Sequence, residues 1–173
     1  MNFTHEGLRE PFEIAPGVVV PPGAYDHEEA QLVLITNQAR PLSLETRFVS
    51  GGFFGGHRTA LSPTLRARHG EDLNAELAYE LNNVDLPGGS FDTNLLRARL
   101  SWSWNPRLFV QGLLQYNDQA QLWSANVRFG WLSSANTGLF VVYNENRDIE
   151  GPGSAFRDRS LTVKFSRLVD LLD

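Results

Sequence analysis

The stretch from Phe91 to Leu132 constrains this chain most, because apolar and polar residues alternate along it in three long runs. In the last run the apolar residues occupy the odd positions, namely Trp123, Ala125, Val127, Phe129 and Trp131. A period of two places successive side chains on opposite faces of a β-strand. No helical period fits, since residues three and four apart would mix Trp with Arg. The stretch predicts antiparallel strands with one apolar and one polar face.

The same alternation recurs along most of the chain and predicts an all-β fold. We expect an antiparallel meander of about nine long strands, at Glu28–Asn37, Leu42–Phe53, Thr59–Arg68, Leu73–Val84, Phe91–Trp104, Leu108–Asn117, Leu122–Leu132, Leu139–Arg147 and Ser160–Leu171. Proline and glycine punctuate residues 1–26, which predicts an irregular segment with at most a short extended piece at Val18–Val20. The predicted organisation is this segment followed by one β-barrel domain over residues 27–173.

The connections favour a transmembrane barrel of the outer-membrane type. Tight turns follow alternate strands, while the other end of the sheet has mostly longer, glycine-rich loops, as bacterial outer-membrane barrels do. Most strands have about ten residues or more, and a tilted membrane strand needs roughly 9–11. The apolar face is therefore predicted to contact lipid. The same alternation also occurs in soluble barrels of the lipocalin type, where the apolar face points inward.

Two sets of residues follow from this prediction. The first set shares the polar face and is expected to face a lumen: Glu45, Arg47, Arg66, Arg68, Glu76, Glu80, Arg97, Arg99, Gln111, Gln115, Asn126, Arg128 and Lys164. The alternative is that these are ordinary solvated surface residues. The second set lies toward the strand ends and suits the two interfaces of a bilayer as an aromatic girdle. It contains Tyr79, Trp102, Trp104, Tyr116, Trp123 and Trp131.

The predicted strand count is odd, which bears on closure. The first and ninth strands of an antiparallel meander run in the same direction and cannot form an antiparallel seam, whereas bacterial single-chain barrels have even strand numbers. Either the N-terminal segment supplies another strand, or the chain is the C-terminal part of a larger barrel. Met1 is followed by a polar segment without the features of a secretory signal. This favours the second explanation, a fragment whose missing N-terminal part completes the barrel.

Several short segments carry a family resemblance: Val20–Tyr25, Asn83–Phe91, Pro106–Val110, Gln115–Asn117, Asn136–Phe140 and Lys164–Leu168. With them the chain, after about Pro11, resembles the C-terminal region of the bacterial family called domain of unknown function 5916. Members of that family typically place a signal peptide and a carbohydrate-binding module of the family-9 type ahead of a large outer-membrane barrel. The resemblance therefore implies an outer-membrane location and an association with carbohydrate. It implies no catalytic residues.

Other chemistry finds little support in the sequence. The net charge is -5 and the arginines are spread along strands, so nucleic acid is not an expected partner. Cysteine is absent, and the four histidines have no ligand spacing, so we expect no metal, no cofactor and no enzymatic reaction. The favoured prediction is an outer-membrane pore or transport barrel in contact with the lipid bilayer. The alternatives are a structural or ligand-binding outer-membrane barrel, and a soluble β-barrel that binds a small apolar ligand.

Overall fold

The computed structural model describes residues 1–134, 137–149 and 156–167. Within these ranges the regular structure is entirely β, in agreement with the predicted fold class. The strands are β1 (Asn2–Leu8), β2 (Phe12–Ala15), β3 (Val18–Val20), β4 (Gly23–Ile35), β5 (Leu42–Phe53), β6 (Gly56–His69), β7 (Leu73–Leu86), β8 (Gly89–Asn105), β9 (Leu108–Asn117), β10 (Leu122–Ser134), β11 (Thr137–Asp148) and β12 (Phe156–Ser166).

Ten of these strands form one antiparallel sheet in the order β1-β4-β5-β6-β7-β8-β9-β10-β11-β12. From β4 onward each strand pairs with the next one in the chain, so the predicted meander is confirmed. Strands β2 and β3 form a separate hairpin between β1 and β4. The sheet is open, with β1 at one edge and β12 at the other. Closure into a barrel remains a prediction.

The expectation of an irregular segment over residues 1–26 is wrong, apart from the extended piece at Val18–Val20, which is β3. Strand β1 pairs with the first half of β4, from Asn2 opposite Glu29 to Leu8 opposite Gly23. Its residues are mostly exposed on both faces, so no apolar alternation marks it as a strand. Its pairing consists of backbone hydrogen bonds to the partner strand, which the pattern of side chains does not predict. With β1 included, the described sheet has ten strands instead of nine.

The register shows that the strands of the sheet are staggered relative to one another. One row of directly paired residues passes through nine strands: Ile35, Glu45, Thr64, Ala78, Arg97, Gln115, Ser124, Asn146 and Asp158. This row leaves β4 at its last residue and meets β12 at its third. The strands are therefore displaced along their length, in one direction, from one edge of the sheet to the other.

A small buried cluster lies at the end of the sheet where β5 turns into β6 and β7 turns into β8, here called the loop end. Both of these connections are two-residue turns, so the expectation of longer loops after these strands is wrong. It joins the β2–β3 hairpin to the ends of β5 and β7, and its members are Ala15, Val18, Val20, Phe54, Val84 and Leu86. The ring of Phe54 packs edge-on against Tyr25 and His27, at centroid distances of 5.3 and 4.9 Å. The N–H of Phe54 also donates to Nε2 of His27 over 3.1 Å. These contacts fix the hairpin against the sheet.

We expect Val20→Ala to loosen the hairpin, because the Val20 side chain is only 2% exposed inside this cluster. Removing buried methyl groups without refilling the space should lower the local opening free energy of β2 and β3 by about 1–3 kcal/mol. Hydrogen exchange of the hairpin amides measures this change. Val19→Ala is the matched control, since Val19 is 46% exposed and should change exchange little. Equal effects of the two substitutions would contradict the packing described.

Candidate functional site

The register assigns both predicted residue sets to faces of the sheet. Directly paired residues in an antiparallel ladder share a face, and every second residue along a strand returns to it. By this criterion all thirteen residues expected to line a lumen lie on one face, here called the polar face. The six expected girdle residues lie on the other, here called the apolar face. That the polar face encloses a lumen remains a prediction.

A chain of ion pairs crosses the polar face from β5 to β8. Arg66 on β6 donates from Nη1 to Glu45 on β5 over 3.0 Å and from Nε to Glu76 on β7 over 3.2 Å. The second carboxylate oxygen of Glu76 lies 3.8 Å from Nη2 of Arg97 on β8. One arginine thus holds two carboxylates, and one of those carboxylates holds a second arginine. The side chains are a fifth to two fifths exposed, so water screens these pairs in part.

Other cations on the polar face have different partners. Arg99 lies directly opposite Glu76 in the β7–β8 ladder, yet the Glu76 carboxylate contacts Arg66 and Arg97. The guanidinium of Arg128 lies over the rings of Phe109 and Phe140, at 5.7 and 5.2 Å from their centroids. Within the described ranges no carboxylate oxygen comes within 4.0 Å of Arg99 or Arg128.

Amide and hydroxyl groups occupy the polar face toward β12. Asn126 donates to the side chain of Asn144, which donates from Nδ2 to the hydroxyl of Ser160 over 3.2 Å. These three residues share one row of the register, on β10, β11 and β12. The polar face therefore changes along the sheet, from charged on β5–β8 to mainly neutral and hydrogen-bonding on β10–β12.

Apolar side chains form a band on the apolar face, between the two ends of the strands. On β7 it runs from Leu73 to Leu81, nine residues, which corresponds to about 30 Å along the strand. Trp102 and Trp104 stack at one end with their ring centroids 3.9 Å apart. Large apolar side chains of the band are well exposed across the sheet, including Leu77 at 46% and Val163 at 62%. In the described residues no second layer covers them.

The polarity of the two faces inverts beyond the band. On β7 the side chains that follow the apolar band on its own face are Asn83 and Asp85, while Val84 and Leu86 on the opposite face are buried against the hairpin. Asn83 donates to Asp92 on β8 over 2.6 Å, which keeps this part of the apolar-face side hydrogen-bonded. We did not infer this inversion from the sequence. Its signal is the two consecutive polar residues Asn82 and Asn83, which shift the parity of the apolar positions.

A shallow trough crosses the middle of the apolar face. Small side chains on β6 to β9 form its floor, and larger ones such as Leu65, Leu77 and Val127 form its sides. The small residues are Ala67, Ala75, Ala98 and Gly112. None of these positions was predicted to form a site. Their lateral alignment depends on the register and brings them together.

Metal chemistry and helical membrane spans find no support in the described ranges. No group of three or more histidine, aspartate or glutamate side chains is arranged there to hold a metal ion. His5 contacts Asp26 over 2.7 Å, and His57 contacts the hydroxyl of Ser50 over 3.0 Å. Among the described residues no helix has the length and apolar character needed to cross a membrane.

Comparison with known proteins finds no family model, no curated protein and no solved structure that matches the chain. The resemblance drawn from the short segments above therefore remains a prediction.

The ion pair between Arg66 and Glu45 can be tested by a double-mutant cycle with Arg66→Met and Glu45→Gln. Because both side chains are about a third exposed, the coupling free energy should be roughly 0.2–1 kcal/mol and should fall as salt is added. The measurement is the free energy of unfolding in urea. The matched control is Arg68→Met with Glu45→Gln, since Arg68 donates to the carbonyl of Gln38 instead. Equal coupling in both cycles would contradict the contact.

Proposed function

We propose that this chain forms the wall of a bacterial outer-membrane β-barrel, with its apolar face toward lipid and its polar face toward a water-filled passage for solutes. One observation carries the proposal. The apolar face is exposed across the described sheet, while the buried apolar cluster lies on the opposite face under the hairpin. An exposed apolar surface of this extent marks an interaction with a membrane or another apolar surface.

The dimensions of the apolar band support lipid as the partner. Strands of membrane barrels tilt by 35–45°, so a band about 30 Å long along β7 has a height of roughly 23 Å. The lipid-facing band of outer-membrane barrels is about 25 Å tall, with aromatic residues at both borders. Trp102, Trp104 and Trp131 border the band at the end of the strands opposite the loop end, and Tyr79, Tyr116 and Trp123 lie toward the loop end. Aromatic residues toward both borders suit the two interfaces of a bilayer.

The topology supports closure of the wall. In an antiparallel sheet of ten strands the first and last strands run in opposite directions, so β1 and β12 have the relative orientation that an antiparallel seam needs. A closed barrel also requires a stagger of the register that accumulates around the wall. The displacement between β4 and β12 has this character. The edges then pair with each other or with further strands of the same wall.

The family resemblance supplies the context of the proposal. It supports an outer-membrane location and a role beside a carbohydrate-binding module, so carbohydrate is a proposed partner of the whole assembly. The described chain contributes the wall and the lining of the passage. The proposal assigns it no catalytic reaction.

A second candidate function has one observation in its favour. The trough over Ala67, Ala75, Ala98 and Gly112 has the apolar lining of a pocket for a small apolar ligand. If the apolar face pointed inward, the chain would form a soluble barrel that encloses such a ligand. The two candidates require opposite orientations of the same face.

Single cysteines distinguish these orientations, because the sequence contains no other thiol. Ser124 and Ala125 are neighbours on β10 and lie on the polar and apolar faces, respectively. We expect a fluorophore on Ala125→Cys in lipid vesicles to be quenched by brominated lipid and protected from aqueous iodide. A fluorophore on Ser124→Cys should show the reverse. Ala98→Cys and Ser101→Cys repeat the comparison on β8.

The soluble barrel makes a different prediction for the same variants. A label at Ala125 would then be shielded from both quenchers, and the chain would remain a stable monomer without detergent. Either result would overturn the lipid-facing assignment.

Conductance tests the passage itself. The natural full-length gene product, inserted in a planar lipid bilayer, should carry a steady ion current, because charged and amide side chains keep the polar face hydrated. The quenching pattern of the Ala125→Cys variant serves as the control for insertion. An inserted but silent barrel would contradict the pore and would favour a structural or ligand-binding outer-membrane barrel.

A further inference from the structure

Cations outnumber carboxylates among the residues that were predicted to line the polar face. Of the thirteen residues assigned to its predicted lining, seven are arginine or lysine and three are glutamate, although the whole chain has a net charge of -5. Two of the glutamates, Glu45 and Glu76, already bind Arg66 and Arg97.

Further carboxylates share this face by register, among them Glu29, which binds Arg58, and Asp158 on β12. Within the described ranges none of them contacts Arg99 or Arg128. The unneutralised positive charge is therefore local to these two arginines.

Two of the cations border one pocket. Arg99 on β8 and Arg128 on β10 line it from opposite sides. Ser101 lies beside Arg99 and Asn126 beside Arg128, while Gln111 and Leu113 on β9 lie between the two strands. Two strand spacings separate β8 from β10, about 10 Å, so two extended guanidinium groups can reach a small ligand held between them. No acidic side chain lines this pocket in the described part of the chain.

The position of Arg128 is held by aromatic contacts. Phe109 and Phe140 lie directly opposite Gly130 on the two neighbouring strands, and Arg128 is the next residue of β10 on that face. A Cβ atom on Gly130 would come within 2.3 Å of the Phe109 ring, so glycine leaves the space that this ring occupies. The guanidinium carbon lies over both rings, and within the described ranges no protein acceptor takes a hydrogen bond from its N–H groups, which can therefore donate to a ligand.

Arg99 is available for a different reason. Its direct cross-strand neighbour is Glu76, the expected partner in a ladder of alternating charges. The Glu76 carboxylate instead forms ion pairs with Arg66 and Arg97. Arg99 is exposed at the border of the pocket. The ion-pair chain on β5–β8 thus uses the nearby carboxylates and leaves this arginine without one.

We propose that Arg99 and Arg128 form an oxyanion-binding site on the polar face, so that the passage selects small solutes carrying a phosphate or carboxylate group. Planar guanidinium groups bind such oxyanions through paired N–H donors. Ser101, Gln111 and Asn126 add neutral hydrogen-bonding groups. Rings of arginine and lysine give pores a preference for anions. The selectivity rests on the proposed pore function, whereas binding of the oxyanion to the folded chain does not.

The test uses inorganic phosphate with the full-length protein in planar bilayers. Under an asymmetric KCl gradient, the reversal potential of the wild-type protein should have the sign of chloride preference, and added phosphate should inhibit the chloride current. In Arg99→Gln/Arg128→Gln the half-inhibitory phosphate concentration should rise on the order of tenfold or more. The control is Arg40→Gln/Arg107→Gln, which removes the same charge from two tight turns and should leave inhibition unchanged.

Two further measurements separate the site from a general electrostatic field and from failure of the pore. Arg128→Lys keeps the charge but loses the planar paired donors, so it should retain chloride preference and weaken phosphate inhibition. Phosphorus NMR titration of the protein in detergent micelles reports phosphate binding without any current. Wild-type binding that is lost in Arg99→Gln/Arg128→Gln supports the site even if the barrel is silent.

The contrary outcomes are equally distinct. A current with cation preference would overturn the oxyanion site but not the pore. So would phosphate inhibition that is unchanged in Arg99→Gln/Arg128→Gln. An inserted barrel without current would overturn the pore alone, and the NMR titration would then decide the site. Quenching of single-cysteine labels in the background of each variant confirms that the wall is folded.

Discussion

Backbone pairing between neighbouring strands is the interaction on which the rest of this structure depends. The described sheet is a single layer, and its buried apolar cluster involves only the hairpin and a few residues at the loop end. Ladders of hydrogen bonds therefore hold most of the strands in place, without a conventional core beneath them. Since a strand directs alternate residues to opposite sides, each face of such a layer meets its own environment. The apolar band, the charged polar face and the inverted loop end all follow from that one constraint.

The sequence predicted which residues share a face better than it predicted which segments of the chain contact each other. Alternation identified the strands from residue 28 onward, and it grouped the lining and girdle residues as the register later did, because both arguments rest on the same period of two. Strand β1 was not predicted, because neither of its faces is buried and its sequence therefore has no apolar alternation. The extended piece at Val18–Val20 was predicted and is β3, but its burial was not, because Val18 and Val20 are buried by contacts with Phe54 and Val84, which are distant in sequence. The predictions for residues 168–171 of the last strand lie outside the described residues.

The pairing of charged side chains also could not be predicted from the sequence. Glu76 faces both Arg66 and Arg99 across its two ladders, and the sequence alone does not rank them. The outcome depends on a third strand, since Arg97 takes the other oxygen of the same carboxylate. Small residues such as Ala98 and Gly112 likewise become a trough only when the register aligns them. Properties of a single strand were predictable, whereas properties of a row across several strands required the structure.

The hairpin formed by β2 and β3 has a consequence for how the molecule responds to its surroundings. Its contacts involve Val84, Leu86 and the ring of Phe54, all on the side of the sheet opposite the apolar band, and Gln119 donates to the carbonyl of Ile14 from the β9–β10 turn. None of these contacts requires an apolar solvent. The loop end therefore has a small core of its own, and its shape should be the same whatever covers the apolar band.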